Sequence, residues 1–156
     1  MTTKDKDLLT KDLCGRLPYG IKVEVCIKDK DIKSVDNVKY DTVGTYIRLI
    51  DDEKFSVKPY IRPMSSMTDE EMEDYARYKF SSDEIWEIVD FKRTGKGFIN
   101  VNCKNRNDAS AQWTFQVNQK SPLENHKGID WLNARHFDYR GLIKMGLAKK
   151  ATEGIY

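Results

Sequence analysis

The chain has 156 residues, of which 39% are hydrophobic and 33% charged, a composition typical of a globular protein. Its 27 basic and 25 acidic residues leave a formal charge of +2, too small for the surface as a whole to attract a polyanion. No stretch approaches the ~18 apolar residues of a membrane span, and the first residues lack the apolar core of a signal peptide. We therefore expect one cytoplasmic domain over residues 1–156 that contacts no membrane.

The first residues predict a short helix. Leu8, Leu9 and Leu13 recur at spacings that share one side of a helix over Asp5–Leu13. Gly15 follows as a plausible stop. The apolar side of this helix is expected to pack on the strands that follow.

A strand-rich unit is predicted over residues 17–62. Apolar residues alternate with polar ones most clearly at Ile21–Lys28. Short β-branched and aromatic runs predict three further strands, at Val38–Tyr40, Val43–Ile50 and Lys54–Ile61. Pro59 has no backbone donor, so the last of these belongs at a sheet edge or a strand end. The pattern predicts a small antiparallel sheet or partial barrel near the N-terminus.

A capped middle helix and a second short sheet are predicted over residues 67–117. Thr68 and Glu71 have the spacing of a capping box, which predicts a helix from about Asp69 to Lys79. Residues 84–91 suit a helix or a strand, with the helix favoured early and the strand late. The second sheet is formed by Phe98–Cys103 and Gln112–Val117, and Gly95-Lys96-Gly97 is a turn before it.

A helical C-terminal segment is predicted over residues 129–148. It begins with a helix at Ile129–Ala134 and continues with a second one at Arg140–Ala148. The apolar residues of the second helix are expected to face the core; they are Leu142, Ile143, Met145 and Leu147. The fold class is therefore α+β.

A cluster of aromatic and polar residues in this segment is the best candidate for a structural or interaction site. Asp138 and Arg140 can pair and fix a bend between the two helical pieces. His136 and Tyr139 would then supply further hydrogen bonds. The cluster comprises Trp131, His136, Phe137, Asp138, Tyr139 and Arg140.

The residues that could carry catalysis or bind a cofactor lack the spacing that such chemistry needs. His126 and His136 stand outside any zinc-ligand pattern, and Thr94–Gly97 does not have the Walker spacing. The three cysteines form no CxxC pair, so they are expected to be inert thiols. A thiol, imidazole and carboxylate from Cys14, His136 and Asp138 could perform acyl transfer if they met. No catalytic, cofactor or metal site is predicted, and a Cys/His enzyme is the third functional hypothesis.

Basic and aromatic residues interleave through the strand-rich unit. Small sheets use such surfaces to bind single strands of nucleic acid. Acidic residues are interspersed, so ordinary solvated strand faces remain an alternative. The residues concerned are Lys22, Lys28, Lys33, Lys39, Tyr40, Tyr46, Arg48, Lys58, Tyr60 and Arg62.

Three sequence blocks resemble a known family. KDLCGRLPY at residues 11–19, VKPYIRPMSSMTDE at 57–70 and HFDYRGLIKMGLA at 136–148 are similar to short uncharacterised proteins from prophages and integrative elements of gut anaerobic bacteria. The resemblance implies a bacterial or phage cytosolic accessory protein. It carries no activity, cofactor or ligand with it.

The leading functional hypothesis is a non-enzymatic interaction module whose partner is another protein. It depends on the apolar, aromatic-rich C-terminal tail, which could dock within the chain or on a neighbour. A nucleic-acid-binding accessory protein that uses the strand-rich unit is the alternative. The oligomeric state stays open.

Overall fold

The computed structural model describes residues 1–30, 32–39, 41–80, 85–95, 98–118 and 126–156. It confirms an α+β fold with a sheet near the N-terminus. Its contacts group the chain into two units, residues 1–63 with 132–156 and residues 64–131. In chain order the elements are α1 (Thr3–Arg16), β1 (Ile21–Ile27), β2 (Ile32–Val38), α2 (Val43–Asp51), β3 (Phe55–Ile61), α3 (Asp69–Phe80), β4 (Trp86–Gly95), β5 (Phe98–Asn105), β6 (Gln112–Asn118), α4 (His126–Ala134) and β7 (Lys149–Lys150), with short 3-10 helices at Leu17–Tyr19 and Met64–Ser66.

The predicted N-terminal helix is confirmed and is longer than its leucines indicated. Thr2 caps it, since its hydroxyl accepts from the Asp5 N–H while the Asp5 carboxylate accepts from the Thr2 N–H. Gly15 lies inside this helix and does not end it. The extra turn places Arg16 within α1.

A four-stranded sheet in the order β2-β1-β3-β7 forms the centre of the first unit. β1 pairs antiparallel with β2 and β3, and β7 pairs parallel with β3. One face of the sheet shares a core with α1 and α2, in which Leu9, Leu13, Ile21, Val23 and Ile61 are fully buried. The other face, which we call the outer face, carries the alternate residues of each strand.

Pro59 lies on an inner strand of this sheet. Of the two predicted alternatives, a sheet edge or a strand end, the sheet edge is therefore wrong. Pro59 pairs with Val23 as the last pair between β1 and β3. Its nitrogen faces the side where β7 runs, and β7 begins to pair only at Tyr60. The missing donor therefore interrupts no hydrogen bond of the sheet.

The strand predicted at Val43–Ile50 is wrong, because this segment forms the helix α2. Its β-branched residues favour a strand, but Tyr46 and Ile50 are four residues apart and both are buried, which is helical spacing. The strand predicted at Val38–Tyr40 is misplaced as well, because β2 ends at Val38 and Tyr40 lies outside the described residues. Burial of one helical face therefore prevailed over local propensity.

The second unit packs α3 against a three-stranded antiparallel sheet in the order β4-β5-β6. The capping box of α3 is confirmed: Thr68 and Glu71 each accept the other's backbone N–H, at 2.9 and 3.2 Å. Residues 86–91, six of the eight residues of the ambiguous segment, are strand. Residues 81–84 and the turn residues Lys96 and Gly97 lie outside the described residues.

Of the two helices predicted in the C-terminal segment, only the first is confirmed. α4 ends at Ala134, and the helix predicted at Arg140–Ala148 is wrong, because these residues form successive turns that lead into β7. Gly141 and Gly146 have φ of 76° and 73°, left-handed values that end a right-handed helix. Leu142 and Leu147 are nevertheless buried, whereas Met145, also predicted to face inward, is exposed.

Candidate functional site

A buried ion pair on α1 holds the C-terminal segment in the first unit. Asp12 and Arg16 are one helical turn apart, and both side chains are fully buried. Arg16 Nε and Nη2 donate to the two carboxylate oxygens of Asp12 at 2.7 and 3.0 Å. Arg16 Nη2 also donates to the carbonyl of Phe137 at 2.8 Å. The guanidinium therefore bridges α1 to a residue 121 positions later in the chain.

Arg140 joins this ion pair and does not pair with Asp138. Its Nε lies 3.3 Å from Asp12 Oδ1, near enough for an ion pair but not aligned for a hydrogen bond. Asp138 accepts the backbone N–H groups of Leu142 and Ile143 at 2.7 and 2.9 Å. The predicted pairing of Asp138 with Arg140 is therefore wrong. The Asp138 carboxylate caps a turn, and Arg140 pairs instead with the carboxylate of Asp12 on α1.

His136 occupies a backbone conformation that is uncommon outside glycine, with φ of 58°. Its ring stacks on Tyr156 with centroids 3.8 Å apart and planes 9° from parallel. Burial lowers the pKa of His136 to about 4, and the Arg16 and Arg62 guanidinium groups act in the same direction. The imidazole is therefore neutral at physiological pH and serves as a packing surface.

The Tyr156 hydroxyl connects β1 to β3 where their own hydrogen bonds end. It donates to the Tyr60 carbonyl at 2.6 Å and accepts from the Lys22 N–H at 3.4 Å. Burial raises the pKa of Tyr156 to about 12, so the hydroxyl keeps its proton. The stacked pair of His136 and Tyr156 thus closes one end of the sheet.

The remaining residues of the predicted cluster divide between the two units. Phe137 is fully buried beneath the Arg62 guanidinium, whose carbon lies 4.3 Å from the ring centroid. Tyr139 has Arg140 over its ring at 4.8 Å. Trp131 belongs to the second unit, where its indole N–H donates to Asp74 at 3.3 Å.

Sequence reasoning missed Asp12 and Arg16. Their four-residue spacing on the same helical side as Leu9 and Leu13 is a signal that could have identified them. Such a spacing usually marks an exposed ion pair, however, and only the tertiary fold shows that it lies in the core.

The structure does not assemble Cys14, His136 and Asp138 into a catalytic group. Cys14 is exposed on α1, two residues from Asp12 and from Arg16, and therefore on the opposite side of that helix. The His136 ring stacks on Tyr156, and the Asp138 carboxylate accepts two backbone donors. The thiol thus faces solvent while the carboxylate has other partners.

The outer face of the sheet in the first unit concentrates positive charge. Four lysines against one glutamate leave it a formal charge of +3, more than the +2 of the whole chain. The glutamate, Glu24, is buried and accepts from Lys149 at 2.6 Å. The residues of the outer face are Lys22, Glu24 and Cys26 on β1, Lys33, Val35 and Asn37 on β2, Ser56, Lys58 and Tyr60 on β3, and Lys149 on β7.

Acidic residues of the same strand-rich segment lie elsewhere. Asp36 is on the inner face of β2, where burial and this carboxylate together raise the pKa of Tyr46. Asp52 and Glu53 lie in the turn between α2 and β3. Strand alternation therefore separates charges that are mixed in the sequence.

The basic and aromatic residues predicted as a nucleic-acid surface gather only in part. Lys22, Lys33, Lys58 and Tyr60 share the outer face. Tyr46 is buried on α2, and Tyr40 lies outside the described residues. The others are spread over different surfaces: Lys28 donates to the Glu53 carbonyl, Lys39 follows β2, Arg48 is on α2, and Arg62 lies over Phe137.

Comparisons with family models, with curated proteins and with solved structures gave no significant match. Within the described ranges, no helix is long and apolar enough to cross a membrane. The same part of the chain holds no group of three or more His, Cys, Asp or Glu side chains arranged for a metal ion. Only the geometry of the chain itself therefore indicates its function.

Proposed function

We propose that this protein is a non-enzymatic interaction module that binds single-stranded nucleic acid on the outer face of its four-stranded sheet. The observation that carries the proposal is the clustering of Lys22, Lys33, Lys58 and Lys149 on one side of the sheet. Lysines spaced along neighbouring strands can follow the phosphates of a nucleic-acid backbone. Tyr60 adds an aromatic side chain to the same face.

The C-terminal tail gives less support to the hypothesis of a different protein as partner. Phe137 and Leu142 are fully buried, and Leu147 is nearly so. Much of the apolar surface that could have docked on a neighbour is therefore used within the first unit, although Met145 is exposed. Val35 on β2, by contrast, is exposed.

The expected binding is weak and depends on salt more than on base sequence. If the face neutralises about three phosphates of a single strand, the affinity should fall by roughly 20-fold between about 50 and 200 mM salt. One aromatic side chain offers little means of reading bases, so homopolymers should bind with similar affinities.

Fluorescence anisotropy with labelled single-stranded DNA and RNA homopolymers tests the proposal. The double variant Lys22→Glu/Lys58→Glu should weaken binding by about tenfold or more, because it reverses two charges of the face. Lys4→Glu/Lys11→Glu is the matched control, since it makes the same change in net charge at exposed positions of α1. Equal losses in the two double variants, or no binding by the unaltered protein at about 50 mM salt, would refute the proposal.

The biological setting remains part of this proposal. The blocks at residues 11–19, 57–70 and 136–148 support an accessory role in a prophage or an integrative element of a gut anaerobe. A cytosolic accessory protein of such an element would meet single-stranded nucleic acid during its replication or transfer.

A further inference from the structure

β2 lies at the edge of the four-stranded sheet and has neither a bulge nor a proline. All seven of its residues pair with β1 in one unbroken register, without a bulge and without proline. Ile32 and Val35 are each 53% exposed. Edge strands are often protected by a proline, a bulge or charges, because an open edge invites another strand to pair with it; of these, β2 has only the charges of Lys33 and Asp36.

The hydrogen bonds of the sheet determine which backbone groups of β2 point outward. Lys28, directly after β1, donates its N–H to the Lys54 carbonyl, so the even-numbered residues of β1 face β3. The odd-numbered residues of β1 then face β2, where they oppose even-numbered residues. By alternation, the backbone groups of Val35 and Asn37 point to the outer edge, where no strand in the described part of the chain pairs with them.

We propose that this edge is a self-association site, at which β2 of a second copy of the chain pairs antiparallel with β2. Residues whose backbone groups point outward must oppose each other, so the two-fold axis passes through a residue and not between two. With the axis at Val35, this valine meets its own counterpart. Lys33 then opposes Asn37, Ser34 opposes Asp36, and Ile32 opposes Val38.

This register suits the β2 sequence better than its neighbours do. It places the exposed Val35 opposite its counterpart and a serine hydroxyl opposite a carboxylate, with no like charges in contact. Val38 is buried, so its pairing with Ile32 joins only backbone groups. An axis at Asp36 would bring two aspartates face to face, and an axis at Ser34 would place Ile32 opposite Asp36. The β2 sequence is therefore complementary to itself in one register, which is why a second copy is the occupant we infer.

Sedimentation equilibrium on the full chain tests the inference. Since a single strand pair is a small interface, the monomer–dimer equilibrium should become visible at about 10–500 µM protein. Val35→Lys should weaken dimerisation by about tenfold or more, because it places two ammonium groups across the axis. Val35→Thr is the matched control, since it keeps a β-branched side chain at this exposed position.

Mixing Val35→Lys with Val35→Glu protein separates this register from a general effect of charge. Each variant alone should be monomeric, and the mixture should form a heterodimer, because opposite charges then meet at the axis. A strictly monomeric unaltered protein, a dimeric Val35→Lys variant or a mixture that stays monomeric would each overturn the inference. These measurements report mass, so they are independent of nucleic-acid binding.

Discussion

At the scale of single residues, the fold depends on the buried charge of Arg16. A charged side chain is almost never buried without a partner. A guanidinium removed from water loses several kcal/mol of hydration, which only a well-placed partner can offset. Asp12 supplies two hydrogen bonds to Arg16, and the Phe137 carbonyl supplies a third. Arg16 can donate to the Phe137 carbonyl only when the C-terminal segment is in place. The buried pair therefore stabilises the packed position of that segment.

Removing Asp12 should expose this dependence. Asp12→Ala should lower the free energy of unfolding by about 3–5 kcal/mol, because it leaves Arg16 and Arg140 near the core without their carboxylate. Urea denaturation followed by circular dichroism measures the loss. Asp7→Ala, an exposed change on the same helix, should stay within about 0.5 kcal/mol. A loss below about 1 kcal/mol in Asp12→Ala would contradict the buried location of the pair.

At the scale of elements, two segments differ from their sequence pattern for opposite reasons. α2 forms from residues that favour strands, because Tyr46 and Ile50 bury one helical face. The segment 140–148 has helical spacing but does not form a helix, because Gly141 and Gly146 adopt left-handed conformations and Asp138 caps a turn. Burial of one helical face determined the conformation of the first segment, and the backbone freedom of glycine determined that of the second.

Two glycine substitutions should change stability in opposite directions. Gly146→Ala should destabilise the protein by about 1–2 kcal/mol, since a β-carbon disfavours φ of 73° even though the space around it is open.

Gly44→Ala should stabilise the protein by about 0.5–1 kcal/mol, because alanine is the better helix former and its β-carbon meets no atom within 4 Å. Thermal unfolding of both variants measures the two effects. A destabilised Gly44→Ala protein would contradict the helical assignment of α2.

At the scale of the whole molecule, the first unit is assembled from the two ends of the chain. Residues 132–156 add β7 beside β3, bury Phe137 and Leu142, and place Tyr156 between β1 and β3. The N-terminal segment alone would leave Arg16 without its Phe137 contact and would uncover the edge of β3. Folding of this unit therefore requires contacts between residues more than a hundred positions apart.

Deletion of residues 133–156 should abolish the cooperative thermal transition of the first unit, because it removes apolar contacts and hydrogen bonds together. Far-ultraviolet circular dichroism as a function of temperature can follow this loss. Glu153→Ala, at an exposed turn position, should leave the transition unchanged. An equally heat-resistant truncated protein would show that the C-terminal segment is dispensable.

Local sequence determined the features that depend on neighbours in the chain. The alternation at Ile21–Ile27, the leucines of α1 and the Thr68–Glu71 capping box act over a few residues, so they predicted β1, α1 and α3 and the α+β class. Composition predicted a structural or interaction cluster that includes residues 136–140, but it did not predict the partners of this cluster, since Asp12 and Arg16 lie more than a hundred positions away.

Only the tertiary structure decided where charges and edges lie. Lysines dispersed among acidic residues in the sequence meet on the outer face, because pairing between strands selects every second residue. α2 became a helix because one of its sides could be buried against the sheet, and β2 became an open edge because β3 took the other side of β1. These outcomes depend on which strands become neighbours, and no local pattern specifies that choice.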